Sequence, residues 1–279
     1  MRLPSRCSYH VIYDSTLKEA LQYASEAGWT GIAPDLGVPR FSPERINDVE
    51  RAELRELSVE YSLEWSLHAP GDDVSLFSTY PPIRRAILEY FKQVIDLARS
   101  VSAAISCVTV HVGSFPSFRK AGERDDAFRN EHRDVYATAL RENLLTLTEY
   151  AAPDTLVAVE NVAWNETVRE VLEGLLDRGL RLCLDIPKLY DANGLKQEDW
   201  DLFRRRKTSI EVVHVHDVRP GLGSHQVVGQ GTLNFKETIQ MLSSLSIRPN
   251  YVFEVRPREL AEASLREFGR IMEVAGSSL

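Results

Sequence analysis

The chain has 279 residues, of which 43% are hydrophobic and 27% charged, with a formal net charge of −8 and a pI near 5.5. That composition predicts a soluble globular protein with a large core. The acidic balance argues against a nucleic-acid partner, because phosphates require an attracting field. No run approaches membrane-spanning length, and the N-terminal MRLPSRCSYH lacks the apolar core of a signal peptide. Cys7, Cys107 and Cys183 are far apart and odd in number, which predicts reduced core thiols and a cytoplasmic protein.

Strand-like and helix-like segments alternate from end to end. Cys7–Ile12 is the first predicted strand; Ser15 or Thr16 then caps a helix with Leu17, Ala20, Leu21 and Ala24 on one face, stopped at Gly28. Gly31–Asp35 is the second strand, and Ser42-Pro43-Glu44-Arg45 opens a helix toward Val59. Tyr61–His68 is the third, and Pro82 starts an apolar helix that runs to Ser100. Cys107–His111 is the fourth. The polar stretch Ser114–Arg129 is long for a βα connection and reads as a lid or as a surface insertion, before a helix over Val135–Tyr150. Leu156–Glu160 and Leu180–Asp185 are strands five and six, with helices over Glu166–Arg178 and within Gln197–Arg206. Ile210–His216 is strand seven, followed by a glycine-rich loop and the helix Phe235–Ser244; Tyr251–Glu254 and Leu260–Val274 complete the chain.

Eight strand–helix units without a linker predict a single-domain (β/α)8 TIM barrel, class α/β, over residues 1–279. An open doubly wound sheet is the alternative, but the first βα turn lacks a dinucleotide glycine fingerprint and no Walker A sequence occurs.

In a barrel of this kind the C-terminal strand ends converge on one mouth. His68, His111, Glu160, Asp185, His214 and Glu254 stand at those ends, with His225 in the loop beyond strand seven. Three carboxylates in one partly desolvated cavity repel one another. Lys188 with an arginine is one way to balance them. A divalent cation is a better one, since Glu160, Asp185, His214 and Glu254 make an oxygen and nitrogen ligand set suited to Mn²⁺, Mg²⁺, Co²⁺ or Zn²⁺. Arg219 and Arg256, just past strands seven and eight, are placed to clamp an anionic group or to face solvent. His216 is expected behind the site or in the core. Trp65 is expected in the core, and Phe115 and Trp164 are candidates to wall the pocket.

The pieces His68-Ala69-Pro70, His111-Val112-Gly113, Glu160-Asn161, Leu184-Asp185, His214-Val215-His216-Asp217, His225 with Gly229-Gln230-Gly231, and Phe253-Glu254 resemble the xylose isomerase-like barrel superfamily. That group holds sugar (phosphate) isomerases and epimerases together with endonuclease IV. The resemblance implies that Glu160, Asp185, His214 and Glu254 bind the metal. It also implies that Glu160 and Glu254 move a proton next to a carbonyl that the metal polarises. His68, His111, Lys188, His225, Arg219 and Arg256 are then the expected substrate-binding residues, although His68 and His111 with Glu160 would also suit a second metal.

Two departures stand out. Lys188 occupies the place of a usual histidine, and Gly223 that of an aspartate found in endonuclease IV, so a third metal site of the nuclease kind would retain only His225. The expected activity is therefore a metal-dependent isomerase or epimerase acting on a small, sugar-like, polyhydroxylated carbonyl compound. A dehydratase (lyase) of the inosose or dehydroshikimate type is the first alternative, and an endonuclease IV-like phosphodiesterase the second. No nucleic acid and no membrane are expected as partners, and the sequence is compatible with a homo-oligomer.

Overall fold

Eight short apolar runs form the centre of the molecule, whose computed structural model describes residues 3–71, 74–118, 120–122 and 127–276. They are β1 (Cys7–Val11), β2 (Gly31–Pro34), β3 (Glu64–His68), β4 (Ser106–Val110), β5 (Thr155–Glu160), β6 (Arg181–Asp185), β7 (Ile210–Val215) and β8 (Asn250–Phe253). Each pairs in parallel with its sequence neighbours, and β8 returns to β1, closing the barrel through Cys7↔Tyr251 and Tyr9↔Phe253. Their near-continuous burial is what a parallel sheet covered on both faces requires. Among the described residues no helix is long and apolar enough to cross a membrane.

The helices that cover the barrel are α1 (Leu17–Glu26), α2 (Asp48–Tyr61), α3 (Pro81–Val101), α4 (Ala127–Ala151), α5 (Glu166–Leu176), α6 (Gln197–Arg205), α7 (Phe235–Leu245) and α8 (Arg258–Val274). Thr16 caps α1 by accepting from the Glu19 amide, and Leu17, Ala20, Leu21 and Ala24 are its buried face, as expected. Ser42-Pro43 does not open the second helix. It forms only a 3-10 turn, and Asn47 is the cap, its side chain accepting from the Glu50 amide. The fourth helix begins at Ala127, two turns earlier than its apolar pattern suggests, because the first turns are held by aromatic contacts rather than by a buried stripe. Phe128 packs on Phe118 and His132. The first residues of this helix, 127–129, therefore absorb the end of the polar stretch read as a lid.

Inside the barrel, Ala33, Cys107, Ala158, Cys183, Val212 and Val252 form a second, smaller apolar cluster. Side chains alternate across a strand with a period of two. Each member of this plug is therefore followed, two residues on, by another inward side chain nearer the mouth. Ala33 leads to Asp35, Ala158 to Glu160, Cys183 to Asp185, Val212 to His214 and Val252 to Glu254.

The seam between first and last units is closed by Asp14, whose side chain is fully buried. Its carboxylate accepts from Tyr9 Oη at 2.9 Å and from Arg258 Nε at 2.9 Å, and Arg258 continues to Glu19. At the opposite end of the barrel, Arg6 bridges Glu64 and Glu211 at 2.9 and 3.1 Å.

Gly31 marks the tightest point of the β1–β3 wall. A Cβ there would lie 2.6 Å from Ser8 Oγ and 2.7 Å from the Glu64 carbonyl oxygen. Backbone cannot yield as a side chain can, so Gly31→Ala is expected to cost about 1–3 kcal/mol. Urea unfolding measures this, and an unchanged midpoint would mean that the wall relaxes.

Candidate active site

Because the plug residues share one parity, their successors meet above the plug, at the C-terminal end of the strands. Glu160, Asp185, His214 and Glu254 are all at least 95% buried there. His214 Nδ1 lies 3.3 Å from Glu160 Oε2 and 3.3 Å from Glu254 Oε1. It hydrogen-bonds to neither and has no other partner among the described residues. Ligand atoms of Asp185, His214 and Glu254 all lie within 4.8 Å of one another, as do those of His68, Glu160 and His214.

Around this centre the hydrogen bonds are directional. Glu160 Oε2 is approached by His68 Nε2 at 3.2 Å and His111 Nε2 at 3.1 Å. His68 Nδ1 points to the Ala69 carbonyl at 2.9 Å, which fixes the ring. Asp185 is held from three sides: Oδ1 accepts from the Lys188 amide, Oδ2 faces His216 Nε2 at 3.3 Å, and its backbone is clamped by the Asn161 side chain. Asn161 thereby ties the ends of β5 and β6, so that Glu160 and Asp185 keep their relative register.

Electrostatics explain why three carboxylates tolerate one cavity. Burial alone would push Glu160 and Glu254 up, but the surrounding imidazoles, His214 foremost, hold both well below the usual carboxylate range. The counterpart appears on the histidines. Burial pulls His214 down, yet Glu254 and Glu160 outweigh it and lift the ring to about 10. His68 is likewise lifted, against burial, to about 9 by Glu160. In the protein alone, protons on imidazoles supply the positive charge that this site needs.

The other expected residues divide. His225 reaches the site from the loop, its Nε2 3.6 Å from Glu254 Oε2 and its ring tilted 31° against that of His216, with centroids 4.5 Å apart. Lys188 is half-buried, and among the described residues its ammonium makes no ion pair within 4 Å; its amide positions Asp185. Arg256 is half-buried with an unpartnered Nε, whereas Arg219 lies exposed on a ribbon beyond β7. Trp65 packs in the core and donates to Ser58 Oγ. Trp164 stacks on Phe203, and Phe115 packs against Phe77 and Tyr136.

Three site residues escape the sequence reading. His216 was expected to turn away, but residues two apart on a strand share a face, and it lies with His214 beside Asp185. His10 and Asp35 also stand at this mouth. His10 Nε2 is 3.9 Å from both Asp35 Oδ2 and Glu254 Oε1. Burial draws its ring down to about 3, so it is neutral. Inward parity is the signal for two of them: Asp35 stands two residues on from Ala33, and His216 four on from Val212, whereas His10 follows no plug residue.

The chain belongs to the Xylose isomerase-like TIM barrel family, whose pattern matches residues 21–271. It is similar to two uncharacterized proteins of Methanocaldococcus jannaschii, 22% and 24% identical over 64% and 69% of this chain. It covers 66% and 64% of their lengths, just under two thirds of the curated relatives it matches. Among solved structures, a D-tagatose 3-epimerase-like protein superposes with a TM-score of 0.73 at 20% identity, over 97% of this chain and 98% of that one. An L-ribulose 3-epimerase gives 0.71 at 15%, over 97% and 95%, and the E. coli 3-keto-D-glucoside 4-epimerase YcjR gives 0.68 at 14%, over 94% and 98%. At these identities the likeness is one of fold.

The glycine-rich loop after β7 is a two-stranded ribbon, Asp217–Arg219 against Gly223–Gln226, which the sequence reading left as loop. Its anchor is Asp217, fully buried. Its two carboxylate oxygens accept the amides of Val218, Gly229, Gly231 and Leu233 at 2.8 to 3.2 Å. A Cβ at Gly231 would lie 2.2 Å from Asp217 Oδ1, so only glycine allows this approach. Asp217→Ala is expected to lose on the order of 3 kcal/mol of stability, through stranded backbone donors. The amides of Gly229, Gly231 and Leu233 should then exchange with solvent far faster; unchanged protection there would refute the anchoring role.

Proposed function

We propose that the chain is a metal-dependent isomerase or epimerase of a small sugar-like carbonyl compound, with Glu160 and Glu254 as its proton-transfer pair. One observation carries the reading: the two carboxylates flank the same unpartnered imidazole nitrogen, His214 Nδ1, at 3.3 Å each. The fold similarity to sugar epimerases supports the same reaction class.

The donor set fits a hard or borderline divalent ion. An orphaned buried nitrogen and three carboxylates match the ligands such ions prefer. Glu160, Asp185, His214 and Glu254 would hold it. Bound there, the ion supplies Lewis-acid polarisation of the substrate carbonyl. The chain supplies the rest. Asp185, fixed by Asn161 and the Lys188 amide, serves as a ligand only. One glutamate takes the proton from the carbon next to the carbonyl; the C–H electron pair forms a carbon–carbon double bond as the carbonyl pair moves to its oxygen. The other glutamate, having first taken up a proton from solvent, returns it to carbon while the first releases its own to solvent. General acid–base help of this kind contributes about 10²–10⁴-fold. Glu254 turns Oε1 toward His214 and Oε2 toward His216 and His225, so ligation and proton transfer can use different oxygens. His68, His111 and His225 are placed to orient substrate oxygens, and Lys188 and Arg256 to meet a polar or anionic end.

Elemental analysis is expected to find about one ion per chain after dialysis against Mn²⁺ or Zn²⁺, and none in Asp185→Ala. A ligating His214 must be neutral, yet its proton is held up to about 10 in the protein alone. Metal uptake near pH 7 therefore releases that proton, and affinity should rise about tenfold per pH unit for each proton displaced. Calorimetry in buffers of different ionisation enthalpy measures this; pH-independent affinity would contradict His214 as a ligand.

Turnover of a ketose in D₂O should place deuterium on the carbon next to the carbonyl. Glu254→Gln and Glu160→Gln should each lower kcat by about 10²-fold or more, with a smaller effect on KM. A wild-type protein that carries metal yet nicks abasic DNA and exchanges no sugar proton would overturn the assignment in favour of a phosphodiesterase.

A further inference from the structure

Of the six histidines at the mouth, only His10 has both ring nitrogens buried and without a hydrogen-bond partner among the described residues. The ring is 3% exposed. A neutral imidazole carries one N–H and one lone pair, and leaving either unfilled in a buried place is costly. An apolar side chain would pack there without that penalty. His10 Nε2 is 3.9 Å from Asp35 Oδ2 and 3.9 Å from Glu254 Oε1, too far for a hydrogen bond to either. A single oxygen about 2.8 Å from each end would bridge His10 Nε2 and Asp35 Oδ2 once the sealed ring and the carboxylate part to admit it. Asp35 is fixed for this purpose. Its Oδ1 accepts the Gly37 amide at 2.8 Å, which leaves Oδ2 toward His10. The carboxylate is 27% exposed and the imidazole sealed, so Asp35 forms the rim and His10 the floor.

We propose that His10 and Asp35 form a hydroxyl-binding subsite on the β1–β2 side of the mouth, seating one substrate oxygen between the imidazole and the Asp35 carboxylate. The inference rests on the sugar-like substrate proposed above. The partner types select a hydroxyl. An O–H gives the carboxylate the donor it requires and still accepts from the imidazole N–H, whereas a carboxylate or phosphate oxygen brings no donor. Water shares this chemistry, so the test must tell a substrate hydroxyl from a bound water.

The Mn²⁺-loaded full chain is assayed with D-tagatose, L-ribulose and D-allulose, and with the monodeoxy series of whichever ketose turns over best. One monodeoxy analogue is expected to lose about tenfold in kcat/KM with the wild type. His10→Phe and Asp35→Ala should each lose about the same factor on the parent ketose, with Mn²⁺ content unchanged, and should no longer discriminate against that analogue. Either variant suffices if the other does not fold. The wild type crystallised with the ketose should show a sugar hydroxyl between His10 and Asp35. A water retained there beside bound sugar overturns the proposal, as does a deoxy penalty that persists in both variants. Metal-dependent turnover undiminished in the variants removes this subsite alone. A wild type that neither binds nor turns over any of these ketoses removes it together with the function on which it rests.

Discussion

Three carboxylates buried within one barrel mouth are the constraint to which the rest of the site responds. Each would be driven toward its neutral form by burial and by the other two. What prevents this is a cluster of imidazoles from the ends of β3, β4 and β7, His68, His111, His214 and His216, joined by His225 from the loop. Protons on His68 and His214 are one answer to that charge imbalance, and the cation proposed above is another.

The barrel makes this gathering inexpensive in backbone terms. Parallel strands in a closed ring present their inward residues in layers, and here one layer is a small apolar plug and the next is polar. The strands deliver these side chains with one irregularity, a register shift at Leu182 and Cys183 where β6 pairs with β7. Loops and helix starts refine the result: Asn161 holds two strand ends together, the Lys188 amide orients Asp185, and Asp217 fixes the ribbon that carries His225.

The eight repeating units and four central residues, Glu160, Asp185, His214 and Glu254, were legible because each sits where an apolar run stops. Others were less legible for identifiable reasons. His10 lies inside its run rather than after it, and Asp35, although it ends the second predicted strand, stands outside the set gathered at the mouth until inward parity is counted. His216 was misjudged by applying alternation to residues of equal parity. Asn47 lost the cap of α2 to the more conspicuous Ser42-Pro43, and the ribbon after β7 was hidden because its strands are too short and polar to show a periodic pattern. The neutralising role considered for Lys188 depended on where a flexible side chain ends, which spacing does not determine.

The Asp217 anchor separates the ribbon into two mechanical parts. Below it, Gly229, Gly231 and Leu233 are bound to a carboxylate one strand position beyond His216 and move only with the barrel. Above it, the tip at Pro220, Gly221 and Leu222 is exposed and bound chiefly by the Leu222 amide to the Arg219 carbonyl. The tip is thus a natural graft point: its length and chemistry can be exchanged to reshape the entrance while the root keeps His225 facing Glu254.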